Sequence, residues 1–197
     1  LDPQKFRLPV NGKRARQVLT VGGATEGTVR TKGLGDFIRV AAQMPEVIFL
    51  VVGPQDESVV RDLSGTASPN IQFLGPLYGD ALIQIMQQST VYTQLSAYES
   101  FGMAVVEAML CGCIPVVSNR GALPEVVDDT GFVVPYGDIA AAAQAIRTAL
   151  ATQPRAAMSV HDRAASMFSL KRRSEALLRV VEEVAARSTA LDGTLDS

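Results

Sequence analysis

The chain has 197 residues, 47% hydrophobic and 19% charged, with a formal net charge of −2. That supply of apolar side chains suits a single domain with a real core and excludes an intrinsically disordered chain. The scattered, nearly balanced charge excludes the basic face of a nucleic-acid binder.

Six short β-rich runs appear in chain order: 17–22 (QVLTVG), 47–53 (VIFLVVG), 71–75 (IQFLG), 90–95 (TVYTQL), 114–118 (IPVVS) and 131–135 (GFVVP). Several are apolar almost throughout, as parallel strands covered on both faces must be. Helical patterns fall between and after them, near 33–43, 56–64, 79–88, 102–111, 121–127 and 138–151. This alternation predicts right-handed βαβ units in a doubly wound, Rossmann-like α/β domain over 17–152, built on a parallel six-stranded sheet. Segments 155–168 and 171–187 carry helical spacing, with Leu177, Leu178, Val181 and Val184 apolar, and predict helices at 153–187 that pack outside the sheet. Residues 188–197 are expected to fray.

Ligands of such sheets bind beyond the carboxyl ends of the strands, so residues just after each strand hold the functional signal. The richest stretch is 97–118, AYESFGMAVVEAMLCGCIPVVS. Its helix is apolar all round except for Glu107, which predicts a buried helix and a carboxylate in need of donors. A vicinal ribose diol would supply them; so would a neighbouring Arg or a backbone amide. Gly102 opens the helix, and the amides of Phe101, Gly102 and Met103 offer an anion site at the positive end of its dipole. Glu99, at the mouth of the same helix, could reach a ligand held there or simply favour the dipole. Cys111 and Cys113 are too close to bridge comfortably and lack companions for zinc, so reduced thiols are expected. His161 reads as a surface residue, Glu125 as a capping or surface carboxylate, and Asp128 with Asp129 as unsuited to a metal. No D-x-D pattern occurs, and no G-x-G-x-x-G follows the first strand, which disfavours a dinucleotide dehydrogenase.

Two glutamates separated by seven residues (E-SFGMAVV-E), followed by AMLCGCIPVV and GALPEVV, resemble glycosyltransferase family 4 of the GT-B fold. The resemblance extends from the first residues to about 185: LDPQKFRLP resembles an interdomain linker, VGG…TKGLGDFI a phosphate loop and its helix, VVGPQDE and IQFLGPL the next strand ends, and GFVVPYGDIAAAAQAI the segment after the last motif. It implies that 1–16 lead in from an N-terminal domain outside this chain and that 17–152 bind the donor. Glu107 then matches the ribose-binding glutamate, Glu99 the one that contacts the transferred sugar, and Phe101, Gly102 and Met103 the loop holding sugar hydroxyls and the distal phosphate. Lys32 matches the cation on the diphosphate leaving group, Gly22 and Gly23 lie in the phosphate loop, and strand ends around Leu74 and Leu77 approach the base.

The implied function is a retaining hexosyltransferase that uses a nucleoside-diphosphate sugar as donor substrate, without a cofactor or metal. Its acceptor groups would come from the N-terminal GT-B domain. One departure stands out: the family usually has Arg directly after the first loop glycine, whereas here Gly23 follows Gly22. Arg30, in the polar loop 23–31, is a candidate substitute. Two alternatives accordingly remain, a non-catalytic nucleotide-sugar-binding module and a GT-B-like sugar-nucleotide epimerase. No apolar run reaches the roughly 20 residues of a membrane-spanning helix, and Leu1 to Val10 does not read as a signal peptide. A cytoplasmic protein is expected, one that meets a membrane surface only through portions outside this chain.

Overall fold

The structure is a computed structural model that describes residues 1–10, 14–66, 68–152 and 154–192, the side chains of 66, 154 and 185–192 excepted. Six strands, β1 (Ala15–Val21), β2 (Ile48–Val52), β3 (Ile71–Phe73), β4 (Ser89–Gln94), β5 (Ile114–Ser118) and β6 (Phe132–Val134), form one parallel sheet in the order β3-β2-β1-β4-β5-β6. The helices are α1 (Leu34–Ala42), α2 (Glu57–Thr66), α3 (Gly79–Gln88), α4 (Met103–Leu110), α5 (Leu123–Val127), α6 (Ile139–Leu150), α7 (Pro154–Met167) and α8 (Leu170–Asp192). The doubly wound Rossmann-like sheet expected from the strand pattern is therefore present.

Apolar continuity explains the layering. Val18, Leu19, Phe49, Val51, Val91, Tyr92, Val116 and Val117 are fully or almost fully buried, as central strands flanked by helices on both faces must be. Right-handed crossovers place α1 and α6 together on one face, while α4 covers β4 and β5 and is covered in turn by α7. Phe37 of α1 meets Phe49 of β2 edge-to-face at 5.1 Å. Asp138 caps α6 by accepting from the Ala141 amide at 2.9 Å.

Element edges differ from the sequence pattern where glycines intervene. The helix predicted at 121–127 begins only at Leu123, because Gly121 takes φ 58° with the Glu99 carbonyl pressed against its Cα face; a Cβ there would collide with it. The helix predicted from 102 begins at Met103, because Gly102 is left-handed at φ 88°.

The two C-terminal helices part company. α7 docks on α4 through Val160 and Ala164, and His161 Nδ1 sits 2.5 Å from the Leu110 carbonyl oxygen, one of the unpaired carbonyls at the end of α4. The surface role expected for His161 is thus corrected to a half-buried docking contact. Arg163 of α7 donates to the carbonyls of Val126 and Glu125 and pairs with Asp128 at 2.9 Å. In α8, by contrast, Leu177, Leu178, Val181 and Val184 are all exposed, so this helix does not pack outside the sheet as its spacing suggested. The segment expected to fray from 188 is helical as far as Asp192, and 193–197 lie outside the described residues.

Candidate functional site

From β1 the chain winds outward through β2 to β3, then returns to place β4 on the other side of β1. The crevice for a ligand in such a sheet opens where the order reverses, at the carboxyl ends of β1 and β4. Here the loops after those two strands are stitched together. The Ala97 amide donates to the Thr31 carbonyl at 3.0 Å, and Gly33, at φ 70°, lies so close to the Leu95 carbonyl that a Cβ would overlap it. Lys32 Nζ bonds Glu99 Oε2 at 2.7 Å, joining residues 67 apart in sequence across the switch point. Both side chains are partly buried, so the pair is shielded though still open to a ligand.

Beside this pair α4 begins. Among the described residues no side chain caps it, which leaves its first-turn amides available to an anion at the positive end of the helix dipole. Gly102 is buried while Phe101 and Met103 on either side of it are exposed. A Cβ on Gly102 would stand 3.1 Å from Leu123 and 3.3 Å from Val105, so the turn needs glycine for its backbone angle and has little room for more.

Glu107 follows one turn after Met103 and is half-buried among apolar neighbours. Among the described residues its carboxylate has no hydrogen bond and no ion pair, so the Arg or amide partner that sequence reasoning allowed is not found. Burial pushes its pKa above the ordinary carboxylate value, with the charge of Lys5 opposing that rise. The site thus holds a half-buried carboxylate with acceptor positions open to a ligand.

Beneath it runs a polar chain that sequence reasoning missed. The buried Tyr92 hydroxyl donates to Gln94 Oε1 at 2.8 Å, Gln94 Nε2 donates to Ser96 Oγ at 2.6 Å, and Ser118 Oγ donates to the Ser96 carbonyl at 2.6 Å. Burial raises the Tyr92 pKa far above its usual value, so its hydroxyl stays protonated as donor. These bonds tie the loop after β4 to both β4 and β5. The alternating polar residues of TVYTQLS carried the signal.

The loop after β1 coils into consecutive turns. Thr28 Oγ1 donates to the Gly23 carbonyl at 2.5 Å, and the Lys32 amide donates to the Thr28 carbonyl at 2.8 Å. Gly22 packs on the Lys32 side chain, its missing Cβ leaving 3.4 Å to Lys32 Cβ. Arg30 is exposed and its side chain has no partner among the described residues. Leu74 and Leu77 lie at the end of β3, Leu74 exposed and Leu77 half-buried. Arg120, just after β5, is a further exposed cation at this edge, stacked 5.3 Å from the centroid of the Tyr136 ring.

A cavity of about 460 Å³ lies at the opposite edge, beside the starts of β1, β4 and β5, lined by Leu8, Arg16, Ile114 and Met158 among others. None of the residues singled out above lines it. Cys111 and Cys113 are buried free thiols whose pKa burial pushes up to about 12. Among the described residues no group of three His, Cys, Asp or Glu side chains is placed to hold a metal ion, and no helix is long and apolar enough to cross a membrane.

Residues 14–165 match the family described as glycosyl transferases group 1. A D-inositol 3-phosphate glycosyltransferase of Saccharomonospora viridis is 38% identical over 61% of this chain and 30% of its own length. A phosphatidyl-myo-inositol mannosyltransferase of Mycobacterium tuberculosis is 33% identical over 71% of this chain and 38% of its own. The chain therefore spans about a third of the curated relatives it matches. Among solved structures, Anabaena Alr3699/HepE in complex with UDP superposes with a TM-score of 0.80 at 22% identity, over 93% of this chain and 56% of that one. The C-terminal domain of a glycosyl transferase group 1 family protein (LpcC) from Francisella tularensis gives 0.70 at 17% identity, over 86% of this chain and 99% of that one.

Proposed function

We propose that this chain, which belongs to the glycosyl transferases group 1 family, is the nucleotide-sugar donor-binding half of a retaining glycosyltransferase. The observation that carries the reading is the cluster at the switch point: the Lys32–Glu99 pair, the start of α4 with its left-handed Gly102, and Glu107, whose carboxylate has no bonded partner among the described residues. Each supplies what one part of a nucleoside-diphosphate sugar lacks in water-poor surroundings. Glu107 accepts from the ribose hydroxyls. The α4 amides around Gly102 hold the distal phosphate. Lys32 faces the diphosphate, whose charge grows as it leaves, so a fixed cation there favours the transition state over the bound donor. Glu99 orients Lys32 and contacts the transferred sugar.

Retention is what the family resemblance implies, and the Lys32–Glu99 pair supports it: an engaged Glu99 favours a same-face displacement over a covalent glycosyl-enzyme intermediate. A same-face displacement, with the donor phosphate taking up the acceptor's proton, uses only the groups present. The diphosphate is held by Lys32 and amides, without a metal or other cofactor. Acceptor groups come from an N-terminal domain, in keeping with relatives about twice as long. Leu74 and Leu77 border the base, and residues 1–10 form part of the connection between halves.

One observation favours a second reading, a nucleotide-sugar-binding module without turnover: Gly23 stands where the resemblance calls for Arg, and Arg30 is unengaged. Titration of UDP-, GDP- and ADP-sugars in EDTA tests the first reading. Saturable binding of at least one, with hydrolysis or transfer whose product keeps the donor's anomeric configuration, is the expected result. Binding with no turnover, even when the upstream half is supplied, selects the module, and no binding overturns the donor site.

A further inference from the structure

The anion-binding turn at 101–103 has one aromatic side chain, Phe101, and its ring meets that of Phe168 edge-to-face, centroids 5.5 Å apart and planes at 84°. Phe168 comes from outside the sheet, at the junction between α7 and α8. Its amide closes α7 by donating to the Ala164 carbonyl at 3.1 Å, and its carbonyl accepts from the Leu1 nitrogen at 3.2 Å. It also lies beyond residue 165, where the match to the family ends. Residues 95–102 contain no helix or strand, so their shape depends on a few tethers. The Glu99 carbonyl is held by the Ala122 amide at 3.0 Å and Ala97 by Thr31; for Phe101 the tether is the ring of Phe168.

We propose that Phe168 is a positioning residue for the turn that receives the donor's distal phosphate: its ring fixes Phe101, and Phe101 fixes the direction of the neighbouring Gly102 and Met103 amides. The proposal rests on the donor-site reading given above. An anion site made of amides works only if they converge within a fraction of an ångström, and a left-handed glycine at φ 88° does not restrain itself.

The test uses Phe168→Ala and Phe168→Tyr in the whole chain, with UDP and UMP as probes (or the GDP or ADP pair, if that base binds better). An edge-to-face contact of this kind corresponds to roughly a two- to tenfold effect. Phe168→Ala is expected to raise the Kd for the diphosphate by that factor, with little change for the monophosphate. Phe168→Tyr, which keeps the ring, is expected to restore wild-type affinity. In a Phe101→Ala background the Phe168→Ala change should have no further effect on affinity. In the ligand-free chain, the amide resonances of Phe101, Gly102 and Met103 should shift in Phe168→Ala and not in Phe168→Tyr. A lowered Tm with unchanged diphosphate affinity and unmoved amides would make Phe168 ordinary packing and overturn the proposal. If the wild type binds no nucleotide, the donor reading fails separately, and the ligand-free amide shifts still decide whether Phe168 sets the turn.

Discussion

Replacing Glu107 by Gln keeps shape and burial and removes only the charge, so it separates a ligand acceptor from a structural carboxylate. A hydrogen bond to a charged acceptor contributes about 1.5–3 kcal/mol, or roughly 10- to 150-fold in Kd. Glu107 is only half-buried, which favours the lower part of that range, but among the described residues its carboxylate has no hydrogen bond or ion pair, so no such bond must break first. A loss of about ten- to thirtyfold in nucleotide affinity is expected by calorimetry. Stability should move the other way. Burial raises the folded-state pKa of Glu107 above its unfolded value, so the folded state holds that proton more tightly. Stability from this group is greatest below the unfolded pKa and declines as pH rises through the folded one. Glu107→Gln should therefore melt at the same or a higher temperature at pH 7, with the difference vanishing toward pH 4.5, the ordinary value. A lower Tm at pH 7 with unchanged affinity would refute the reasoning and make Glu107 a paired structural group.

Lys32→Ala should weaken nucleoside diphosphate binding more than monophosphate binding, by about 1–3 kcal/mol, with the difference shrinking as salt is added. Arg30→Ala, measured in parallel, should match it only if Arg30 turns inward when ligand arrives; its exposure in the free protein predicts a smaller effect. Gly121→Ala should destabilise the chain by several kcal/mol or displace the loop carrying Glu99, because a Cβ would meet the Glu99 carbonyl and φ is 58°. Denaturant melts with nucleotide titration of the folded fraction check it, and a wild-type-like variant would refute the claimed contact.

The sheet was legible because parallel strands buried on both faces must be largely apolar, and the Val- and Ile-rich segments from 47 and 114 can be little else. Glu107 was legible for a related reason, as one carboxylate in an otherwise apolar helix. The Lys32–Glu99 pair was not, because nothing local links residues 67 apart; the reversal of strand order brings them together. The Phe101–Phe168 contact was hidden in the same way. α8 was misjudged because helical spacing of Leu177, Val181 and Val184 shows that a face seeks cover without showing what covers it. A lone His161 gave no hint that the end of α4 left a carbonyl for it.

The central claim, that the carboxyl edge of the sheet at the β1–β4 switch point is the donor site, is tested most directly by amide NMR of the chain titrated with a nucleoside diphosphate in EDTA. The account predicts saturable shifts at Gly22, Gly23, Lys32, Phe101, Gly102 and Met103, with smaller ones around Leu74 and Leu77. Shifts confined to the opposite edge, around Leu8, Arg16 and Ile114, or none at all with UDP, GDP and ADP, would contradict it.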